Sequence, residues 1–172
     1  LLGKTASVKG LVKINFMTSH PMDFTEDIIR VIADSSNISR GIHLPLQSGS
    51  DRILTAMNRK YTVSHYYSIM GKIDVLLRDY AISTDLITGF PGETEEDFNA
   101  TLKAVKEIKF DEAFMFSYSP REGTPAYNLK ENMNQKEKIS RLNELILVQR
   151  EISLEKLKMR TGNNERVIAA KF

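Results

Sequence analysis

A chain of 172 residues, 41% hydrophobic and 27% charged, has the size and composition of one ordinary globular domain with a real core. Its formal charge of +2 is too small, and too evenly strung along the chain, to argue by itself for a nucleic-acid partner. The absence of cysteine excludes a disulfide framework, a thiolate nucleophile and iron–sulfur ligation by this chain, and no apolar run approaches the roughly 20 residues of a membrane-spanning helix.

No signal-peptide pattern opens the chain, so the default expectation is a cytoplasmic protein with no membrane partner. The start at Leu1-Leu2 without Met and the apolar close at Val167 to Phe172 read as a piece of something longer. Leu1 to Lys9 carries no decisive pattern. Leu11 to Met17 (LVKINFM) alternates as a strand does and ends in the polar loop Thr18 to Pro21, where proline stops regular structure. Thr25 to Asp34 reads as a helix with Ile28, Ile29, Val31 and Ile32 on its apolar side. Gly41 to Leu46 is a short apolar strand, followed by the hydrogen-bonding loop Gln47 to Asp51 and a helix to about Asn58, capped by Ser50 or Asp51. A further helix begins at Thr62 or Ser64 and runs to about Asp79, with Tyr66, Ile69, Met70, Ile73, Leu76 and Leu77 at helical spacing.

The stretch from Ser83 to Asn99 (STDLITGFPGETEEDFN) organises the rest. An apolar strand passes through Gly89-Phe90-Pro91-Gly92 into a helix that Thr94 caps and Asp97 closes as a capping box, with acids suited to the positive end of the helix dipole. Strands that hand over to helices through glycines are where α/β folds bind ligands. Asp85 is an acid in a strand that otherwise reads as buried, which is costly without a partner. A ribose diol suits it, because a carboxylate accepts both hydroxyl hydrogens; a structural pairing with lysine or a backbone amide is the competing reading. Ala113 to Tyr118 is the next strand, Ser119 to Pro125 its loop, and Asn134 to Arg160 a long amphipathic helix ended by Gly162, with Ile139, Leu142, Leu145, Ile146, Ile152 and Leu157 on its apolar side. Arg166 to Phe172 reads as the start of another strand.

About four strands, each followed by a helix, call for parallel pairing with helices outside: too few for a closed eight-fold barrel, but fitting part of one or an open sheet. The loops after the strands then share one rim and bring together His20, Gln47, Ser48, Ser50, Asp85, Glu93 and Arg121, which points to a small-molecule site. His43 reads as a satisfied core residue. No Ser-His-Asp or Cys-His arrangement and no H-E-x-x-H spacing is evident, and the glycine turn lacks both the Lys-Ser/Thr of a phosphate loop and the G-x-G-x-x-G of a dinucleotide site.

Several blocks carry a family resemblance. They are Phe16 to Phe24 (FMTSHPMDF), His43 to Leu54 (HLPLQSGSDRIL) with Met57-Asn58-Arg59 and Tyr61-Thr62, Thr84 to Phe98 around Gly-Phe-Pro-Gly-Glu, and Ala113 to Ala126 with Tyr118-Ser119-Pro120-Arg121 and Gly123-Thr124-Pro125. In order and spacing the chain resembles the radical S-adenosylmethionine methylthiotransferases, and within them those acting on tRNA.

That resemblance implies the C-terminal half of an incomplete (β/α)6 TIM-like barrel over residues 1–162, with residues 163–172 a linker or the start of an RNA-binding TRAM domain. It implies that Asp85 holds the ribose of S-adenosylmethionine, that Arg59 pairs with the methionine carboxylate, and that Ser19, Gln47 and Ser48 add polar contacts. Ile87 and Gly89 shape the adenine pocket, and the backbone from Phe116 to Tyr118 lies along the adenine edge. The implied reaction is methylthiolation at C2 of N6-isopentenyladenosine beside the anticodon, with tRNA and an electron donor as partners. Threonylcarbamoyl-adenosine is the alternative base. The family's CxxxCxxC loop for its 4Fe–4S cluster is not in this sequence, so the chain carries no metal ligand, no assigned catalytic residue and no expected activity alone. A non-catalytic α/β ligand-binding domain, or an RNA module using the basic residues of the last helix, are the competing readings. An open sheet edge also invites self-association.

Overall fold

The computed structural model describes residues 1–17 and 20–164. Ser19 and the segment from Arg166, expected to contact the cofactor and to open a following domain, lie outside the described residues. Three parallel strands form the sheet, β1 (Gly41–His43), β2 (Ala81–Thr88) and β3 (Glu112–Ser117), in the order β1-β2-β3. Helices α1 (Leu2–Ala6), α2 (Glu26–Asp34), α3 (Asp51–Ala56), α4 (Val63–Leu76), α5 (Glu95–Ile108) and α6 (Gln135–Arg160) connect and cover it.

β2 sets the polarity of the sheet. Its side chains alternate: Ile82, Thr84, Leu86 and Thr88 are buried, while Ser83, Asp85 and Ile87 are only partly so. The buried face meets Tyr66, Ile69 and Ile73 of α4, Phe98, Leu102 and Val105 of α5, and Leu145 and Ile152 of α6 in one core. The other face is open, and the register places Phe114 beside Asp85 and Phe116 beside Ile87. Asp85 therefore stands on the half-open face, not inside a fully buried strand, because a period of two separates it from its apolar neighbours.

Two strands are shorter than the sequence pattern suggests. The expected strand Leu11 to Met17 is reduced to one parallel bridge between Ile14 and Ile38. Ile14 has a partner on one side only, and Leu11, Val12 and Met17 stay exposed. The strand expected over Gly41 to Leu46 ends at His43, because Pro45 has no N–H for the ladder. The Leu46 amide donates to the Thr84 hydroxyl at 2.9 Å instead, and pairing resumes where the Gln47 amide donates to the Asp85 carbonyl at 2.8 Å.

The helix starts follow the local chemistry. Ser50 caps α3, Thr62 caps α4, and Thr94 with Asp97, like Asn134 with Glu137, forms a full capping box. Thr25 precedes α2 but makes no side-chain cap. The buried stripe of α6 differs from its apolar residues: Lys138, Leu145, Gln149 and Ile152 are buried, while Ile139 and Leu157 are exposed. Gln149 donates to the Phe110 carbonyl at 2.8 Å, and Lys138 buries its stem beside the β2 turn, so polar side chains occupy core-facing positions by using their heads.

Candidate cofactor-binding site

Parallel pairing puts Gln47, Gly89 and the Ser117–Ser119 segment at the same edge of the sheet. The turn after β2 is built from both directions. Gly89 has φ +70° and donates its amide to Glu93 Oε2 at 2.9 Å. A Cβ there would also lie 2.6 Å from Lys138 Cγ, so the position needs glycine twice over, for its backbone angle and for its space. Gly92 donates to Asn132 Oδ1 at 2.8 Å, and its carbonyl accepts from Arg52 at 2.7 Å.

Glu93 is fully buried and bound by Arg141 Nη1 at 2.7 Å. Burial pushes its pKa up, against the Gly89 amide and the Arg141 guanidinium, and Oε1 has no hydrogen-bond partner among the described residues. Arg141 also reaches Glu95 at 3.1 Å, tying α6 to the first turn of α5. Asp97 accepts from Ser50 at 2.6 Å and from Arg52, so the Gln47–Asp51 loop is fastened to α5. Burial alone would raise the Asp97 pKa; Arg52, Ser50 and Thr94 outweigh it and hold the carboxyl well below the ordinary range.

Against this frame lies a cavity of about 700 Å³, lined among others by Arg59, Ile87, Phe90, Phe116, Tyr118 and Arg121. Tyr118 is fixed by its hydroxyl on the Ala126 carbonyl (3.1 Å), by an edge-on contact with Phe90 at 5.0 Å between centroids, and by Lys138 Nζ 5.5 Å from its ring. Arg59 follows Asn58, which has φ +58°, and its amide donates to the Leu54 carbonyl at 2.8 Å. Its guanidinium has no ion-pair or hydrogen-bond partner among the described residues. Tyr61, next but one, donates to the Pro45 and Leu46 carbonyls, and burial pushes its phenol up to about 12 against the opposing charge of Arg59.

Four of the sequence-derived residues, Arg59, Ile87, Phe116 and Tyr118, line this cavity together. Gly89 forms the turn beside it. Gln47 has φ +68°, is buried, and bridges β2 through its main chain. Ser48 is turned inward: it is fully buried, accepts from the Ser50 amide at 3.2 Å and lies 3.4 Å from the Thr101 hydroxyl, so its side chain supports the loop. His20 is placed edge-on against Tyr61 at 5.1 Å.

Sequence reasoning missed His43. Its Nε2 lies 3.3 Å from Asp85 Oδ2 and its Nδ1 3.0 Å from Ser83 Oγ, with Phe114 edge-on at 5.9 Å. These residues stand 40 and 42 positions apart from the histidine, and only the pairing of β1 with β2 brings them together. The ring orients the carboxylate on the open face one register step inside Ile87. The basic residues of α6 are partly spent inside the fold: Lys138 pairs with Glu131, Arg141 with Glu93 and Lys156 with Asp111. That weighs against a free RNA-binding helix face.

No helix among the described residues is long and apolar enough to cross a membrane, and no group of potential metal ligands occurs among them. The fold matches coproporphyrinogen III oxidase from Escherichia coli, a solved radical SAM enzyme, with TM-score 0.67 at 19% identity, covering 81% of this chain and 32% of that one. Sequence relatives include proteins named tRNA-2-methylthio-N(6)-dimethylallyladenosine synthase: one from Clostridium botulinum strain Hall is 46% identical over 168 residues, 98% of this chain and 37% of its own length. One from Clostridium tetani is 48% identical over 86% of this chain and 33% of its own, and one from Treponema pallidum strain Nichols 43% over 94% and 36%. The chain thus spans about a third of the length of these relatives. Residues 3–105 match the Radical SAM superfamily, and with a parallel sheet whose strand ends open on one cavity, the chain belongs to that superfamily.

Proposed function

We propose that this chain supplies part of the S-adenosylmethionine cradle of a cytoplasmic tRNA methylthiotransferase, the enzyme that modifies C2 of N6-dimethylallyladenosine. The cavity at the strand ends carries this reading: it has the volume of a small-molecule site, an apolar wall at Ile87, and in Arg59 a guanidinium with no ion-pair or hydrogen-bond partner among the described residues. These features suit an adenine ring and a methionine carboxylate. Arg59 binds the carboxylate through its guanidinium fork. Asp85, oriented by His43, accepts the ribose hydroxyls. Gly89 and the main chain from Phe116 to Tyr118 let the adenine edge approach backbone, and Gln47 contributes polar contacts around the methionine end.

The superfamily uses S-adenosylmethionine with a 4Fe–4S cluster, which supplies the electron for reductive cleavage when bound. This chain has no cysteine, so its residues do not fit the cluster and its ligands come from elsewhere. What the chain does is bind, orient and exclude water. A polypeptide of these residues alone is therefore expected to give no product. The names of the relatives favour the dimethylallyl base over threonylcarbamoyl-adenosine.

Calorimetric titration of the full-length protein with S-adenosylmethionine tests the reading. Arg59→Gln and Asp85→Asn are each expected to weaken binding about tenfold or more. Unchanged affinity in both variants overturns the cofactor assignment.

A further inference from the structure

The cavity at the strand ends is lined by two arginines, Arg59 and Arg121, and by no acid. Neither guanidinium has an ion-pair or hydrogen-bond partner among the described residues, whereas Arg30, Arg52 and Arg141 each hold a carboxylate. S-adenosylmethionine brings one carboxylate, one ammonium and one sulfonium, a net charge of +1, which the Asp85 carboxylate at its ribose offsets. With its one carboxylate on Arg59, the second guanidinium, Arg121, is left unanswered. A guanidinium without a partner at the cavity mouth draws an anion to it.

Arg121 is placed to receive it. It is exposed, in the loop after β3, and its carbonyl accepts from the Thr124 amide at 3.2 Å and from the Thr124 hydroxyl at 2.7 Å, closing a turn that fixes the root of the side chain. On the same wall Phe116 is 55% exposed, and an exposed aromatic side chain is a platform on which a base can stack. Cation and ring together match a nucleic-acid strand better than a free inorganic anion, which would have no use for the ring.

We propose that Arg121 forms an anion subsite of this cavity that holds a backbone phosphodiester of the RNA substrate, with a base laid on Phe116. This rests on the function proposed above, in which Arg59 is occupied by the methionine carboxylate. The test uses the full-length protein with its cofactors and two probes: an RNA anticodon stem-loop carrying N6-dimethylallyladenosine, and S-adenosylmethionine. RNA affinity is measured between about 50 and 200 mM salt.

Arg121→Gln is expected to weaken RNA binding about tenfold, to lower the salt slope by about 1, and to leave S-adenosylmethionine affinity and the melting point unchanged. Arg121→Lys keeps the charge and is expected to restore the slope. Arg59→Gln should do the reverse, losing S-adenosylmethionine but not the RNA salt slope. An unaltered RNA slope in Arg121→Gln overturns the subsite, and does so whether or not that variant also loses S-adenosylmethionine as a second carboxylate clamp. Unaltered S-adenosylmethionine affinity in both Arg59→Gln and Asp85→Asn sinks the cofactor reading alone, and the RNA slope of Arg121→Gln still decides the subsite.

Discussion

Asp85 owes its setting to one histidine. Replacing His43 by Ala removes the group that holds the carboxylate 3.3 Å away, and the expected outcome is a loss of about tenfold in S-adenosylmethionine affinity with little change in unfolding midpoint, read by calorimetry beside a urea titration. Gly89 should behave the other way round. Gly89→Ala meets both a positive φ and Lys138 Cγ, so it is expected to destabilise the fold by about 2–4 kcal/mol in a denaturant titration, and to weaken the cofactor as a consequence. The glycine was legible in the sequence as part of Gly-Phe-Pro-Gly, because turns are written locally. The histidine was not: its partners Ser83 and Asp85 belong to another strand, and no spacing along the chain encodes which residues of β1 and β2 stand side by side.

Among the elements, α5 is the one whose start was readable residue by residue, since Thr94 and Asp97 lie within a single turn. Asp97 also ties α5 to Ser50 at the N-cap of α3 and to Arg52 in its first turn, and that longer-range tie was hidden. Asp97→Asn is expected to cost about 2–3 kcal/mol near neutral pH. The depressed pKa of this carboxyl fixes the sign of its pH dependence. Its contribution is present above the ordinary carboxylate range, about pH 4, and is lost as the pH falls below it, so wild type and Asp97→Asn should converge in unfolding free energy on acidification. A gap that persisted or widened in acid would contradict this account. α6 shows the limit of reading amphipathicity from apolar residues alone. Lys138 and Gln149 are surface types by composition, yet they bury long stems while their heads answer Glu131 and the Phe110 carbonyl.

For the molecule as a whole, the sheet has a covered side and an open side, and stability resides in the covered one. Leu145 of α6 is fully buried in the shared core, and Leu145→Ala is expected to lower unfolding free energy by about 2–5 kcal/mol, measured by urea denaturation. The parallel order and the common edge of the loops were legible, because strand and helix alternate along the sequence. The openness of the other face was not, since Phe114 and Phe116 look like core residues until the register shows what they lie beside. One helix, moreover, grips the cavity-side turn at two points: Lys138 beneath Gly89 and Arg141 on Glu93. α6 has 26 residues and so extends about 39 Å, and Gln149 on the Phe110 carbonyl and Lys156 on Asp111 pin its far half, which makes it a strut that holds the cavity-side turn at a fixed distance from the opposite end of the sheet.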